Sequence, residues 1–295
     1  MGPMEATRTR RLGAAEVEFE VVEAGTGGRP LLLVHGFGGA KEDFVEHLPA
    51  LAEAGWHSVA PDLRGHGASD APAEEEAYAL EVLASDLVAL ADALGWDRFA
   101  LLGHSMGGMA AQLAALAVPE RIAALVLMAT SHGPVEVDRS LALASIEIVR
   151  SGGMPALAEA ITALGGSPFA TPQGEQARKS RPSPLGGDDI EASWAAFADA
   201  KLIASSPAMY TAMVPAMLDQ PDRLHALEHL QVPTLVVVGE HDASFLQACR
   251  RLAATIPGAR LVVVAGAGHS PQHEAPEAWR HSVLSFLEKT VAQGG

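Results

Sequence analysis

Short apolar runs alternate along the chain with longer stretches in which apolar residues recur every three or four positions. Leu31-Leu32-Leu33-Val34, entered from Pro30 and left at Gly36, is short and continuously apolar, the mark of a strand covered on both faces. Runs of the same kind occupy His57 to Ala60, Phe99 to Leu102, Ala124 to Met128, Thr234 to Val238 and Leu261 to Val264. Between them the spacing predicts helices over Lys41 to Ala54, Ala79 to Leu94, Ser105 to Ala117, Ser244 to Ile256 and Pro276 to Val291. Buried strands separated by helices predict an α/β fold, a mostly parallel central sheet flanked by helices. Ahead of that pattern, Thr7 to Arg11 and Val17 to Val22 read as an opening hairpin, because Val17-Glu18-Phe19-Glu20-Val21 alternates with period two.

The alternation stops between residues 131 and 229. Helical patterns continue there (Leu141 to Arg150, Pro155 to Leu164, Ile190 to Ile203, Met209 to Leu218), but no strand pattern does. Gly165-Gly166-Ser167-Pro168 and the Pro-, Gly- and charge-rich stretch Thr171 to Gly187 interrupt them. The expected organisation is a core of residues 7–130 and 230–292, with a helical cap of residues 131–229 inserted before the late strands. Thr171 to Gly187 is expected to be the moving part of that cap.

Composition narrows the function. With 48% hydrophobic and 19% charged residues, the 295-residue chain is not intrinsically disordered. Its net charge of −16 argues against nucleic acid and against an anionic membrane surface. No apolar stretch is expected to reach the roughly 18 residues of a membrane span. The start of the chain carries Arg8, Arg10 and Arg11 with no apolar segment beside them, unlike a secretory leader. A single cysteine, Cys249, excludes an intramolecular disulfide and a cysteine-built zinc site; its apolar, helical surroundings read as those of a buried, inert thiol. A cytoplasmic protein acting on small molecules is the expectation, with its oligomeric state left open.

The strand Phe99 to Leu102 runs into Gly103-His104-Ser105-Met106-Gly107 and then at once into an Ala-rich helix. This is G-x-S-x-G at a strand-to-helix turn. Such a turn forces the serine into a strained backbone and brings residues two positions either side nearly into contact, so both must lack a Cβ. It lifts the hydroxyl clear of the sheet over a helix N-terminus, whose free N–H groups favour a developing anion. A second turn, His35-Gly36-Phe37-Gly38-Gly39, follows another strand. Its Phe37 N–H, paired with that of Met106, would complete an oxyanion hole.

With these motifs, and with Asp62-Leu63-Arg64-Gly65-His66-Gly67-Ala68-Ser69, the chain resembles the α/β-hydrolase fold superfamily from about Val17 to Phe286, and within it the serine carboxylesterase and lipase-like branch. The resemblance implies a catalytic triad in chain order Ser, Asp, His. Gly239-Glu240-His241-Asp242 follows Thr234 to Val238, and Gly266-Ala267-Gly268-His269 follows Leu261 to Val264. The family's Gly-x-x-Asp spacing selects Asp242 as the acid, with Glu240 second, and His269 as the base. A proline common after the acid in that family is absent from Asp242-Ala243-Ser244-Phe245. Asp62, Arg64 and His66 shape a turn in the family and read as structural. His104 reads as a packed orienter, since a side chain one residue from the nucleophile points elsewhere.

Haloalkane dehalogenases and epoxide hydrolases of the superfamily carry an aspartate where this chain has Ser105, so the resemblance implies acyl transfer instead. The expected activity is cleavage of small carboxylic esters, short-to-medium acyl or aryl, through an acyl-enzyme on Ser105. A carbon–carbon bond hydrolase, an enol-lactonase or a cofactor-free perhydrolase uses the same triad. A non-catalytic ligand-binding protein on this fold is the reading from another class, disfavoured by competent residues at every triad position. No metal or organic cofactor is implied: His225 with His229, and His269 with His273, are each four apart but lack a third ligand at matching spacing. Met209, Met213 and Met217 form a helical stripe that either packs the cap or, with Trp194 and Phe197, lines an acyl or aryl pocket.

Overall fold

The computed structural model describes residues 7–163 and 194–292. The expected moving loop, Thr171 to Gly187, lies outside them. An opening antiparallel hairpin, β1 (Arg8–Ala14) and β2 (Val17–Ala24), leads into β3 (Arg29–Val34), β4 (Trp56–Pro61), β5 (Phe99–His104), β6 (Ile122–Met128), β7 (Thr234–Gly239) and β8 (Arg260–Val264). These form one eight-stranded sheet in the order β1-β2-β4-β3-β5-β6-β7-β8. β2 meets β4 antiparallel, and every pairing from β4 to β8 is parallel.

Continuous apolar strands are needed because both faces are covered. Leu32, Val34, Leu101 and Val236 face one apolar cluster, completed by α2 (Leu80–Ala93), α3 (Met106–Ala117) and α8 (Leu246–Thr255). Their neighbours Leu31, Leu33, Leu102 and Val237 face the other, completed by α1 (Leu48–Glu53) and α10 (Pro276–Ala292) through Leu48, Leu51, Trp279 and Val283. The helix expected over Lys41 to Ala54 is shorter than the pattern suggested. Two 3-10 turns, Lys41–Asp43 and Val45–His47, precede α1. Pro49 explains the late start: without an N–H it fits the first turn of a helix but not its interior.

Between β6 and β7 the described residues are helical: α4 (Arg139–Ala163), α5 (Trp194–Ala204), α6 (Pro207–Asp219) and α7 (Leu224–Leu227). Here one expectation needs correcting, because α4 is long and apolar enough to cross a membrane by length and composition. It is broken at Gly153, whose φ of 70° interrupts the helix. Ile146, Val149, Met154 and Leu157 are buried in a cluster with Tyr210, Val214 and Leu218 of α6. The adjacent stripe of α6, one position earlier at each turn, is the methionine row. Met209, Met213 and Met217 are no more than 4% exposed and join the core cluster with Leu63 and Tyr78. Of the two roles considered for them, the packing role is the one visible here.

The loop after β4 is held by charge. Asp62 accepts from the N–H groups of Lys41 and Ala68 and from the Lys41 ammonium, at 2.8–2.9 Å. Arg64 grips Asp86 of α2 through Nε and Nη2, each at 2.6 Å, with Asp86 only 1% exposed. Removing one partner of a buried pair strands the other charge. Arg64→Ala is therefore expected to lower the unfolding free energy by about 3 kcal/mol, and Arg64→Ala with Asp86→Leu to recover part of it. Urea unfolding of both variants checks this.

Candidate active site

Ser105 stands between β5 and α3 with φ 53° and ψ −118°, outside the regions that side chains ordinarily occupy. Such a conformation costs about 1–3 kcal/mol and persists only where its surroundings hold it. They do. The Ser105 N–H donates to the Met128 carbonyl at 2.9 Å, and the Ser105 carbonyl accepts from Gly108, Met109 and the Thr130 hydroxyl at 2.7–3.1 Å. A Cβ on Gly103 would collide with the Gly107 carbonyl, so the close approach expected across the turn is present. A Cβ on Gly36 would lie 2.9 Å from that of Ser105, which sets the His35–Gly39 turn against the serine.

That turn is fastened by two histidines. His66 Nε2 accepts from the Gly38 N–H at 3.3 Å while its Nδ1–H donates to the Arg64 carbonyl. His35 Nε2 accepts from the Leu63 N–H at 3.0 Å while its Nδ1–H donates to the Gly36 carbonyl. A ring that accepts at one nitrogen and donates at the other is neutral, and protonation would break a backbone hydrogen bond. Burial accordingly pushes His66 down to about 3, and lowers His35 as well. The N–H groups of Phe37 and Met106 have no acceptor among the described residues, leaving two donors beside the serine.

The acid and base loops close the arrangement from the far side. Ser105 Oγ–H donates to His269 Nε2 at 3.1 Å, and His269 Nδ1–H donates to Asp242 Oδ2 at 2.9 Å. Asp242 is 2% exposed. The imidazole stacks on Phe245 at 4.7 Å between ring centres, while His104 lies 4.9 Å away on another side. His104 donates its Nε2–H to the His269 carbonyl at 2.8 Å, and burial pushes it down to about 3. Glu240, the second candidate acid, bonds the Gly266 N–H at 3.0 Å. Where that proline is absent, Phe245 is the N-cap of α8 and the Asp242 carbonyl accepts from the Leu246 N–H at 2.9 Å.

Sequence reasoning missed Thr130, Phe245 and Glu274 here, and gave His35 no role beyond its motif. It also missed Asp43, just beyond the Phe37 turn, which pairs with Lys201 of α5. Burial alone would raise the Asp43 carboxyl, but the Lys201 ammonium and His273 outweigh it and hold the group well below the usual carboxylate range. The thiol of Cys249 donates to the Thr130 carbonyl and burial pushes it up to about 12, as expected of an inert cysteine. Trp194 opens α5, and Phe197 lies within 5.0 Å of the Lys201 ammonium. One sequence statement is corrected: His225 and His229 do have a third potential ligand, since the helical turn sets Glu228 beside them within 4.8 Å. All three are exposed on the surface.

A family model described as the alpha/beta hydrolase fold matches residues 29–276. The chain belongs to this family. Epoxide hydrolase A of Mycobacterium tuberculosis is 38% identical over 132 residues, which is 44% of this chain and 41% of that protein. The chain thus spans about two fifths of that relative's length. Two solved structures match nearly end to end. The enol-lactonase from Burkholderia xenovorans LB400 is 25% identical with a TM-score of 0.78, covering 95% of this chain and all of the other. A thermophilic esterase from Thermogutta terrifontis is 27% identical with a TM-score of 0.75, covering 96% and 99%. Hydrolases as a class are common to all three.

The buried neutral histidines set a pH limit on this family member. His47, His66 and His104 are each pushed by burial to about 3, whereas in an unfolded chain they titrate at about 6.5. Between those values the unfolded state binds more protons, so stability falls as pH falls. Each histidine contributes a slope of up to about 1.4 kcal/mol per pH unit. Thermal unfolding at fixed ionic strength should show Tm dropping steadily from pH 6.5 to 4. A flat Tm across that window would show that these rings take up protons in the native state.

Proposed function

We propose that the protein is a serine hydrolase that cleaves small carboxylic esters, including lactones, through an acyl-enzyme on Ser105. The observation that carries this is the hydrogen-bonded series Ser105–His269–Asp242 with two N–H donors beside the serine. Ser105 Oγ attacks the ester carbonyl carbon and its proton passes to His269 Nε2. The oxyanion sits against the Phe37 and Met106 N–H groups, whose dipoles are fixed before the reaction begins. Collapse breaks the carbon–oxygen bond, and His269 returns the proton to the leaving alkoxide. Water then adds to the acyl carbon through the same base, releasing the acid and restoring the serine. Asp242 holds the ring in the tautomer that leaves Nε2 bare and stabilises the imidazolium.

The epoxide hydrolases among its relatives pose the main alternative, and the chemistry of the nucleophile argues against it. A carboxylate that opens an epoxide forms an ester, whose carbonyl water can attack to complete turnover. A serine alkoxide would form an ether, with no carbonyl and no route to release. Ser105 therefore suits substrates that already contain the carbonyl. The enol-lactonase and esterase likenesses support the same direction. The helices between β6 and β7 act as the cap in this proposal, since Tyr210 packs on Phe37 at 4.9 Å and Lys201 meets Asp43 beside the oxyanion turn. The substrate is expected to be uncharged and modest in size, and the net charge of −16 disfavours polyanions. A small-molecule ester is the only partner this activity needs, and no cofactor is invoked.

A panel of p-nitrophenyl acetate to decanoate, γ-lactones and styrene oxide tests the reading. Turnover is expected on esters and lactones and none on the epoxide. Ser105→Ala should lower kcat by about 10⁴-fold or more with the fold intact, and a fluorophosphonate probe should map to Ser105. Asp242→Asn should cost far more than Glu240→Gln. Epoxide turnover, or probe adducts elsewhere, would reject the proposal.

A further inference from the structure

The base of the triad sits on an unpromising segment. Ala265-Gly266-Ala267-Gly268-His269 contains two glycines, and glycine loses more backbone freedom on ordering than any other residue. An imidazole that must stay within hydrogen-bond reach of both Ser105 and Asp242 needs that freedom removed. Loss of about 1 Å in placement of a reacting group costs around 10²-fold in rate.

Glu240 and backbone bonds hold the start of this loop, and the restraint next to His269 comes from one side chain. Glu274, five residues beyond His269 at the end of the short helix α9 (Pro271–Glu274), folds its carboxylate back over the loop. Oε2 accepts from the Gly268 N–H at 2.5 Å and Oε1 from the Ser270 N–H at 2.9 Å. The N–H groups of the residues on either side of His269 are thereby tied to a single rigid carboxylate. The carbonyl between them is held by His104, and the Glu274 N–H returns a bond to the Ser270 carbonyl at 2.9 Å.

A simple helix-capping role accounts for only half of this. Ser270 is the N-cap of α9, and a carboxylate one turn on that bonds its N–H is a common way to close a helix start. Capping gives no reason for the second oxygen to reach past the helix to Gly268, on the far side of His269. We infer that Glu274 is the positioning residue for the catalytic base: its two oxygens bracket His269 and set the imidazole between Ser105 and Asp242. This rests on His269 being the general base, as proposed above.

The two roles separate kinetically. A cap contributes stability, whereas a positioning residue contributes to kcat in protein that is fully folded. Glu274→Ala, Glu274→Asp, Glu274→Gln and a neighbouring control, Glu277→Gln, would be assayed on p-nitrophenyl acetate at least 15 °C below each Tm. Fluorophosphonate labelling of Ser105 would be followed alongside. Ala should lower kcat 10- to 100-fold with KM changed less than threefold, and slow labelling by a similar factor. Asp, too short to span both N–H groups, should resemble Ala. Gln, which retains one acceptor oxygen, should lose less. The Glu277→Gln control should match the parent.

Variants that lose Tm but keep kcat and the labelling rate would reduce Glu274 to a cap and overturn the inference, even if Ser105 and His269 act as proposed. Equal losses in Gln and Ala would overturn the two-point bracket. If Ser105 takes no probe and His269→Ala leaves turnover unchanged, the parent reading falls and this assignment with it.

Discussion

A serine held at φ 53° is the constraint around which the rest of this molecule is arranged. No side chain adopts that backbone unaided, so the energy that maintains it must come from neighbours. One is Met128 at the end of β6, which receives the Ser105 N–H, and another is the Thr130 hydroxyl on the Ser105 carbonyl. The absence of side chains at Gly103 and Gly107 lets strand and helix close on each other. Each of these groups lies at the carboxyl end of a parallel strand. Such a sheet presents all those ends along one edge, which is where crevices in open α/β sheets form. The His35–Gly39 turn after β3, Asp242 after β7 and His269 after β8 come together around Ser105 for the same reason. Topology delivers the groups to one edge, and local bonds set the last ångström.

Those local bonds are unusually dependent on neutral imidazoles. His35 and His66 each accept one backbone N–H and donate to one carbonyl, a pairing that amide or hydroxyl side chains match less readily across a rigid span of that size. His104 fixes the carbonyl of His269, the residue proposed as the base. Burial disfavours charge on these rings, which suits the proposed chemistry, in which charge develops on His269 only. A second permanent imidazolium beside His269 would oppose proton transfer to it.

Where a feature depended on local pattern, it was legible in the sequence. Five parallel pairings, two-sided burial and the elbow followed from continuous apolar runs and from glycines at fixed offsets around Ser105. The interruption of strand pattern from residue 131 onward matched the helices α4 to α7. What escaped were contacts between segments distant in the chain: Thr130 on Ser105, Phe245 against His269, Lys201 on Asp43. Periodicity says which face of an element is buried and not which atom waits there. The methionine stripe shows the limit well. Its spacing announced a buried face, but only the neighbouring stripe of Tyr210, Val214 and Leu218 reveals that α6 is clamped on two sides. The break in Lys41 to Ala54 was missed, although Pro49, whose missing N–H is a local property, marks it.

The double clamping of α6 has a consequence for how substrate choice and chemistry are coupled. Its Met209 side packs against the loop after β4, which holds the oxyanion turn through His66. Its Tyr210 ring lies against Phe37, whose N–H faces the reacting carbonyl in the mechanism proposed here. α5 adds Lys201, which compensates the buried Asp43 carboxylate, and Asp43 in turn accepts the Ala40 N–H at 3.3 Å. Three contacts from the inserted helices thus bear on the turn that carries Phe37, while none of the three touches the Ser105–His269–Asp242 series. Changes in the insertion would therefore reach the chemistry through the placement of two N–H groups. Among the described residues, the hydrogen bonds of Ser105, His269 and Asp242 involve no group of the inserted helices, so changes in those helices leave that series in place.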